Sequence, residues 1–236
     1  MFPEALLTSP LFGIGLTVIL YSISEIIVER LNLTIVPPFV IACPAIIGIL
    51  AFAPGVTYEQ YASGAEFINF LLGPATIALA LPLYRNRKMI LKEALPIGLG
   101  VTVASAVAII VAYFCGKALG ASEPVLISLI PKSVTTPIAI DIAKTLGGIP
   151  ALTTAAVIIT GMLGATFNHK LLKLFGVNND LACGLAIGAS SHGLGTSACA
   201  AVSPIQLAIG GVAIALTGIV TSILAPIMLP ILKAIW

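Results

Sequence analysis

Two short polar strings interrupt the long hydrophobic run in the second half of this chain, Pro131-Lys-Ser-Val-Thr-Thr-Pro137 and Ser190-Ser-His-Gly-Leu-Gly-Thr-Ser197. Each follows roughly ten apolar or small residues, and ten helical residues rise about 15 Å, half of a ~30 Å hydrocarbon core. Lys132 and His192 therefore fall near the midplane if these segments enter a bilayer. Helix-breaking polar backbone at that depth survives only where protein buries it or where it lines a watery cavity. A pair of such breaks in corresponding halves is the pattern of a transporter's substrate site.

Composition makes the membrane setting close to obligatory. The chain is 59% hydrophobic and 8% charged, against about 25% charged in soluble domains. A net charge of +2 offers no basic face for nucleic acid. Cys43, Cys115, Cys183 and Cys199 stand singly in apolar segments, without metal-ligand spacing, and read as packing residues. No metal or other cofactor is expected. The N-terminal Met1-Phe-Pro-Glu-Ala lacks a basic leader, so the run 11–28 reads as a retained span.

Apolar runs 33–53, 67–84 and 95–115 are each long enough to span as well. Pro54-Gly55 opens a loop expected to reach Glu66. A second loop, Tyr84 to Lys92, carries Arg85, Arg87, Lys88 and Lys92, the strongest basic cluster, and is expected to face the cytoplasm. Two continuous runs, 150–168 and 206–232, follow the interrupted segments. The expected fold is an all-α polytopic membrane protein of one domain over 1–236, with N-terminal spans in 1–116 and a core in 117–236. It has about six full transmembrane helices plus two kinked or re-entrant helical hairpins.

Segment 122–146 either crosses as one broken helix or returns as a hairpin. Re-entry places Lys170 and Lys173 on the same side as the Arg85 loop. It also lets segment 181–204 enter from the opposite side, as in inverted-repeat transporters. The spacing Lys132-(x)3-Thr136 matches His192-(x)3-Thr196, with Gly161 and Gly218 at similar places in the following spans.

Chemically, Thr136-Pro137 reads as an N-cap followed by proline at the first helical position. The half-helix after it turns free N–H groups and the positive end of its dipole toward the break. Ser133, Thr135 and Thr136 add hydroxyls and Lys132 a full charge, so a small anion is the fitting ligand. Asp141, one turn on, is a candidate counter-ion, and pairing of Lys132 with Asp141 or Glu123 would make the break purely structural. In the second string, Gly193 and Gly195 allow close approach to backbone, Thr196 or Ser197 is placed to cap the next half-helix, and Ser190 and Ser191 add hydroxyls. His192 can donate to a carboxylate or carry a coupling proton, or sit neutral and hydrogen-bonded in a bundle. His169 beside Lys170 reads as interfacial. Asn32, Asn69 and Thr76 are polar groups equally suited to packing or to ligand contact. A hydrolase built on Ser190 or Ser191 with His192 is disfavoured, because adjacent helical side chains point apart.

Pro131 to Ala139 and Ser191 to Ser197, with Gly73-Pro-Ala-Thr-Ile-Ala-Leu-Ala-Leu-Pro-Leu-Tyr84, resemble the bacterial LrgB/CidB family over almost the whole chain. The resemblance implies a multi-pass protein of the bacterial plasma membrane, acting with a smaller four-span LrgA/CidA-like partner; a homo-oligomer is a separate expectation. It implies either antiholin- or holin-like control of murein hydrolase export and autolysis, or movement of small carboxylates such as pyruvate. A fused plant relative of the family moves glycolate and glycerate at the chloroplast envelope. The two anion-favouring breaks side with carboxylate transport over a lytic pore, and no enzymatic activity is expected.

Overall fold

The computed structural model describes residues 7–31, 33, 38–78 and 80–235, and within these the regular structure is helical. The chain forms two compact units, 1–75 and 76–236. The helix at 94–118, grouped by sequence with the N-terminal spans, packs into the second unit.

In the first unit, α1 (Pro10–Arg30), α2 (Phe39–Phe52) and α3 (Tyr58–Phe70) pack together. Ser9 caps α1 by accepting from Leu11 N, with Pro10 tolerated in the first turn where its missing N–H costs nothing. Gly13 and Gly64 mark the crossing of α1 and α3, where a β-carbon at Gly64 would overlap the Pro10 carbonyl oxygen. Thr17 Oγ1 lies 3.0 Å from Tyr61 Oη across the same contact. The expected loop from Pro54 to Glu66 is shorter than the composition suggests. Thr57 and Gln60 form a reciprocal capping box that starts α3 at Tyr58.

The run 67–84 does not form one span. It is interrupted by a turn at Leu71 after the end of α3, and helix resumes as α4 (Leu72–Ala78) and α5 (Ala80–Arg85), with residue 79 outside the described residues. The expected basic loop is itself helical after a turn at Asn86, as α6 (Arg87–Lys92). Among the described residues four are long and apolar enough to cross a membrane: α1, α7 (Ala94–Ala118), α10 (Pro150–Leu174) and α12 (Pro204–Ile235). The 14-residue α2 is apolar but shorter.

In the second unit α7 presents two ridges. Ile97, Val101, Ser105, Ile109, Ala112 and Tyr113 face the core, whereas Leu95, Leu99, Val103, Val107 and Val111 are exposed. That second ridge suits lipid rather than water.

Both polar strings reverse the chain. After α8 (Glu123–Leu129) and the break, α9 (Thr136–Leu146) returns until Ile149 N donates to Ser128 Oγ at 2.7 Å. An eleven-residue helix continuing away from residue 129 would have carried Ile149 more than ~16 Å off. Glu123 at this end pairs with Lys233 at the end of α12. The second string breaks α11 (Asp180–Ser197), and a 3-10 turn (Ala198–Ala201) leads into α12. Here Asp180 accepts from Ser203 Oγ and from Gln206 Nε2, each at 2.8 Å, so the chain is back where it entered. The reversals start from opposite ends of the unit, because α10 runs from Ile149 at one end to its His169–Gln206 contact at the other.

Candidate functional site

The first reversal owes its shape to proline. Thr135 is the N-cap of α9, one residue before the position expected for Thr136, and Pro137 occupies the second helical position. A capping hydroxyl normally accepts from the second or third N–H. Pro137 has none, and Thr135 Oγ1 is buried without a hydrogen-bond partner in the described structure. Thr136 and Ile138 head α9, where N–H groups have no intrahelical acceptor. Ser133 is buried in the same turn. A hydroxyl, N–H groups and the positive end of an eleven-residue helix thus converge on one place.

Lys132 sits in this turn, largely withdrawn from solvent, and neither expected acid neutralises it. Glu123 is taken by Lys233. Asp141 is exposed and lines a separate cleft of about 240 Å³ with Ile142, Thr145, Ser222 and Pro226. The ion pairs Lys92–Glu93 and Lys233–Glu123 do not involve Lys132. The purely structural alternative for the break therefore lacks its salt bridge, and Asp141 is not the counter-ion of Lys132 in this conformation.

The second reversal is built differently. Ser191 leaves helical geometry, and His192 takes φ 42°, ψ −145°. This is a glycine-like backbone that costs a side-chain-bearing residue about 1–3 kcal/mol. Compensation comes from α10. His192 Nε2 lies 2.8 Å from the Val157 carbonyl oxygen. A carbonyl only accepts, so that nitrogen carries the proton. Asn168 Nδ2 donates to Ser191 Oγ at 2.8 Å and to Ser190 Oγ at 3.2 Å. Gly161 and Gly164 make room, since a β-carbon at Gly161 would lie 2.7 Å from His192 Cε1, and one at Gly164 would overlap Ser191.

Thr196 and Ser197 do not cap a half-helix. Their hydroxyls donate at 2.7 Å to the carbonyls of His192 and Leu194, inside the returning arm. The break lies at Ser191–His192, too far upstream for either to serve. Gly195 is buried against Ser191, whereas Gly193 is exposed with open space before it. His169 is not simply interfacial: its Nε2 lies 2.9 Å from Gln206 Oε1, in the network that holds Asp180. Asn69 belongs to α3 of the first unit, and Asn32 and the Thr76 side chain lie outside the described residues.

Val157 relates the two reversals. Its side chain belongs to the core with Ile130, Val134 and Ala139 from the first, while its carbonyl accepts from His192 of the second. The packing is also exchanged. Gly161, in the helix that follows the first reversal, receives His192 of the second. Gly218, in the helix that follows the second, receives Ile138 of the first, 2.6 Å from where a β-carbon would stand. Neither exchange was readable along the chain, beyond the similar placing of the two glycines.

Four long apolar helices with two chain-reversing breaks between them define a multi-pass helical membrane protein. The family model of the LrgB-like family matches residues 17–231, nearly the whole chain, and the chain belongs to that family. No solved structure matches it significantly.

Proposed function

We propose that the chain is a secondary carrier of small 2-oxo and 2-hydroxy monocarboxylates, of pyruvate, glycolate or glycerate type, in the bacterial plasma membrane. The observation that carries this is Lys132, a lysine without a carboxylate partner in the turn that leads into a half-helix. At midplane a charged residue costs at least about 2.5 kcal/mol, and an anion bound there offsets that cost. Lys132, Thr135 and the N-terminal N–H groups of α9 hold the carboxylate, with Ser133 and Thr136 beside them. The second reversal supplies the opposing wall. His192, Ser190 and Ser191 are held there through α10, while Gly193, Gly195, Thr196 and Ser197 form the returning arm. An LrgA/CidA-like partner completes the transporting unit.

In this reading the two reversals are re-entrant hairpins, and the exchanged packing at Gly161 and Gly218 supports an inverted repeat. The end bearing Arg85, Arg87, Lys88, Lys92, Lys170 and Lys173 faces the cytoplasm, as the positive-inside rule prefers. Cysteine at the exposed Lys144 should then react with an impermeant thiol reagent from outside, and cysteine at Lys173 from inside. The reverse pattern, Lys144→Cys reacting from inside and Lys173→Cys from outside, is that of a broken crossing and would refute the hairpins.

Purified protein in liposomes, with and without the partner, should show saturable uptake of labelled pyruvate or glycolate down a gradient and retain entrapped dye. Dye leakage without saturable uptake would instead fit a holin- or antiholin-like regulator of autolysis.

A further inference from the structure

A cleft of about 530 Å³ opens beside the second reversal, lined by Leu81, Arg85 and Asn86 from α5 and the turn after it, by Gly193, Thr196 and Ser197, and by the α12 face that includes Ala208 and Gly211. Its lining runs along α12 from Leu207 to Ile214, which is about 10 Å of helix. With α12 beginning at Pro204, the cleft reaches roughly 15 Å inward, the depth of the breaks. The inner limit includes Gly193, next to His192, where open space replaces a side chain.

The basic residues around the mouth are not equivalent. Arg87 donates to the Tyr84 carbonyl at 2.9 Å and stacks over the Tyr84 ring at 4.3 Å, and Lys92 lies 4.0 Å from Glu93. Arg85 makes no hydrogen bond or ion pair with the described residues and lines the cleft.

We infer that this cleft is the cytoplasmic entry path of the transported carboxylate, with Arg85 as the cation that draws the anion to its mouth. The inference rests on the carrier function proposed for the chain and adds a route and a residue to it. Low-dielectric walls with one cation at the opening focus field lines and raise the local anion concentration. Gly193, Ala208 and Gly211 keep the passage wide. A bound lipid tail is the other occupant that such walls would accept, and the test separates the two.

In proteoliposomes sorted by orientation, Arg85→Gln should raise KM for pyruvate presented at the cytoplasmic face by about tenfold, with little change in maximal rate. The salt dependence of uptake from that face should flatten, because a Debye length of about 8 Å at physiological salt screens only an exposed charge. Arg85→Lys should restore most of both. A cysteine at Ala208, modified from the cytoplasmic side, should block transport, and saturating pyruvate should slow the modification, with the parent chain as control. Unchanged KM and salt dependence in Arg85→Gln, or modification of the Ala208 cysteine without loss of transport, would overturn the entry path while leaving a transporting wild type intact. The entry path also fails if lipid extraction, rather than pyruvate, changes the modification rate. A wild type that takes up no carboxylate would instead overturn the carrier function, and this inference with it.

Discussion

Lys132→Met is expected to remove saturable carboxylate uptake while leaving the protein as stable as the wild type or more so. The two effects have one cause. The ammonium group has no ion-pair partner among the described residues, so its desolvation is uncompensated in the ligand-free state. Methionine keeps most of the stem's volume and removes that cost, so thermal unfolding in detergent should shift upward or not at all. Uptake at low substrate should fall at least about 100-fold, about 3 kcal/mol, the range for truncating one side of a buried charged pair. Lys132→Arg keeps the charge but not the compact ammonium, and should retain a measurable fraction of uptake. A structural lysine would give the reverse result, with lowered stability and transport falling only in proportion to folded protein.

The second large effect is expected at Gly188, far from any charge. Gly184 and Gly188 lie where the entering arm of α11 runs alongside α12: a β-carbon at Gly184 would stand 2.5 Å from the Gln206 carbonyl oxygen, and one at Gly188 would overlap that of Gly210. The obstacle at each is backbone, which cannot rotate aside. Gly188→Val should therefore force the helices apart, and overpacking of this kind costs about 1–3 kcal/mol. The Asp180–Ser203 and Asp180–Gln206 hydrogen bonds close the same arm, so the loss should appear as a lowered melting temperature with release of the second reversal. Gly193→Ala is the control, since nothing lies within 4 Å of the added carbon. It should melt with the wild type. Equal stability of Gly188→Val would mean that the two helices are not packed this closely.

The sequence carried much of this architecture at the two polar strings. Pro137 dictates a helix start, and a hydroxyl, a lysine and a proline within six residues leave few other uses for that turn. The matched spacing to His192 and Thr196 marked a second break, without saying whether the chain crosses or turns back there. Distance in the chain hid the rest. Whether Glu123 neutralises Lys132 depends on Lys233, 110 residues away, and no local pattern reveals that competition. Thr196 and Ser197 looked like caps because their residue type favours capping, yet hydroxyls inside a helix also bond to carbonyls three or four residues back, and here they do. The run 67–84 looked like one span because hydropathy ignores where helices stop, and the chain turns at Leu71 inside it. His192 was recognisable as polar and buried, but its bond to Val157 and its φ of 42° follow from contact with α10, which only the folded chain supplies.

The most direct test is an experimental structure determined with pyruvate bound, read for the position of the carboxylate. It should lie within about 3 Å of Lys132 Nζ and of an N–H at the head of α9, with Thr135 Oγ1 donating to it. Pyruvate bound elsewhere, or Lys132 closed onto an acidic side chain with the ligand absent from the first reversal, would contradict the account.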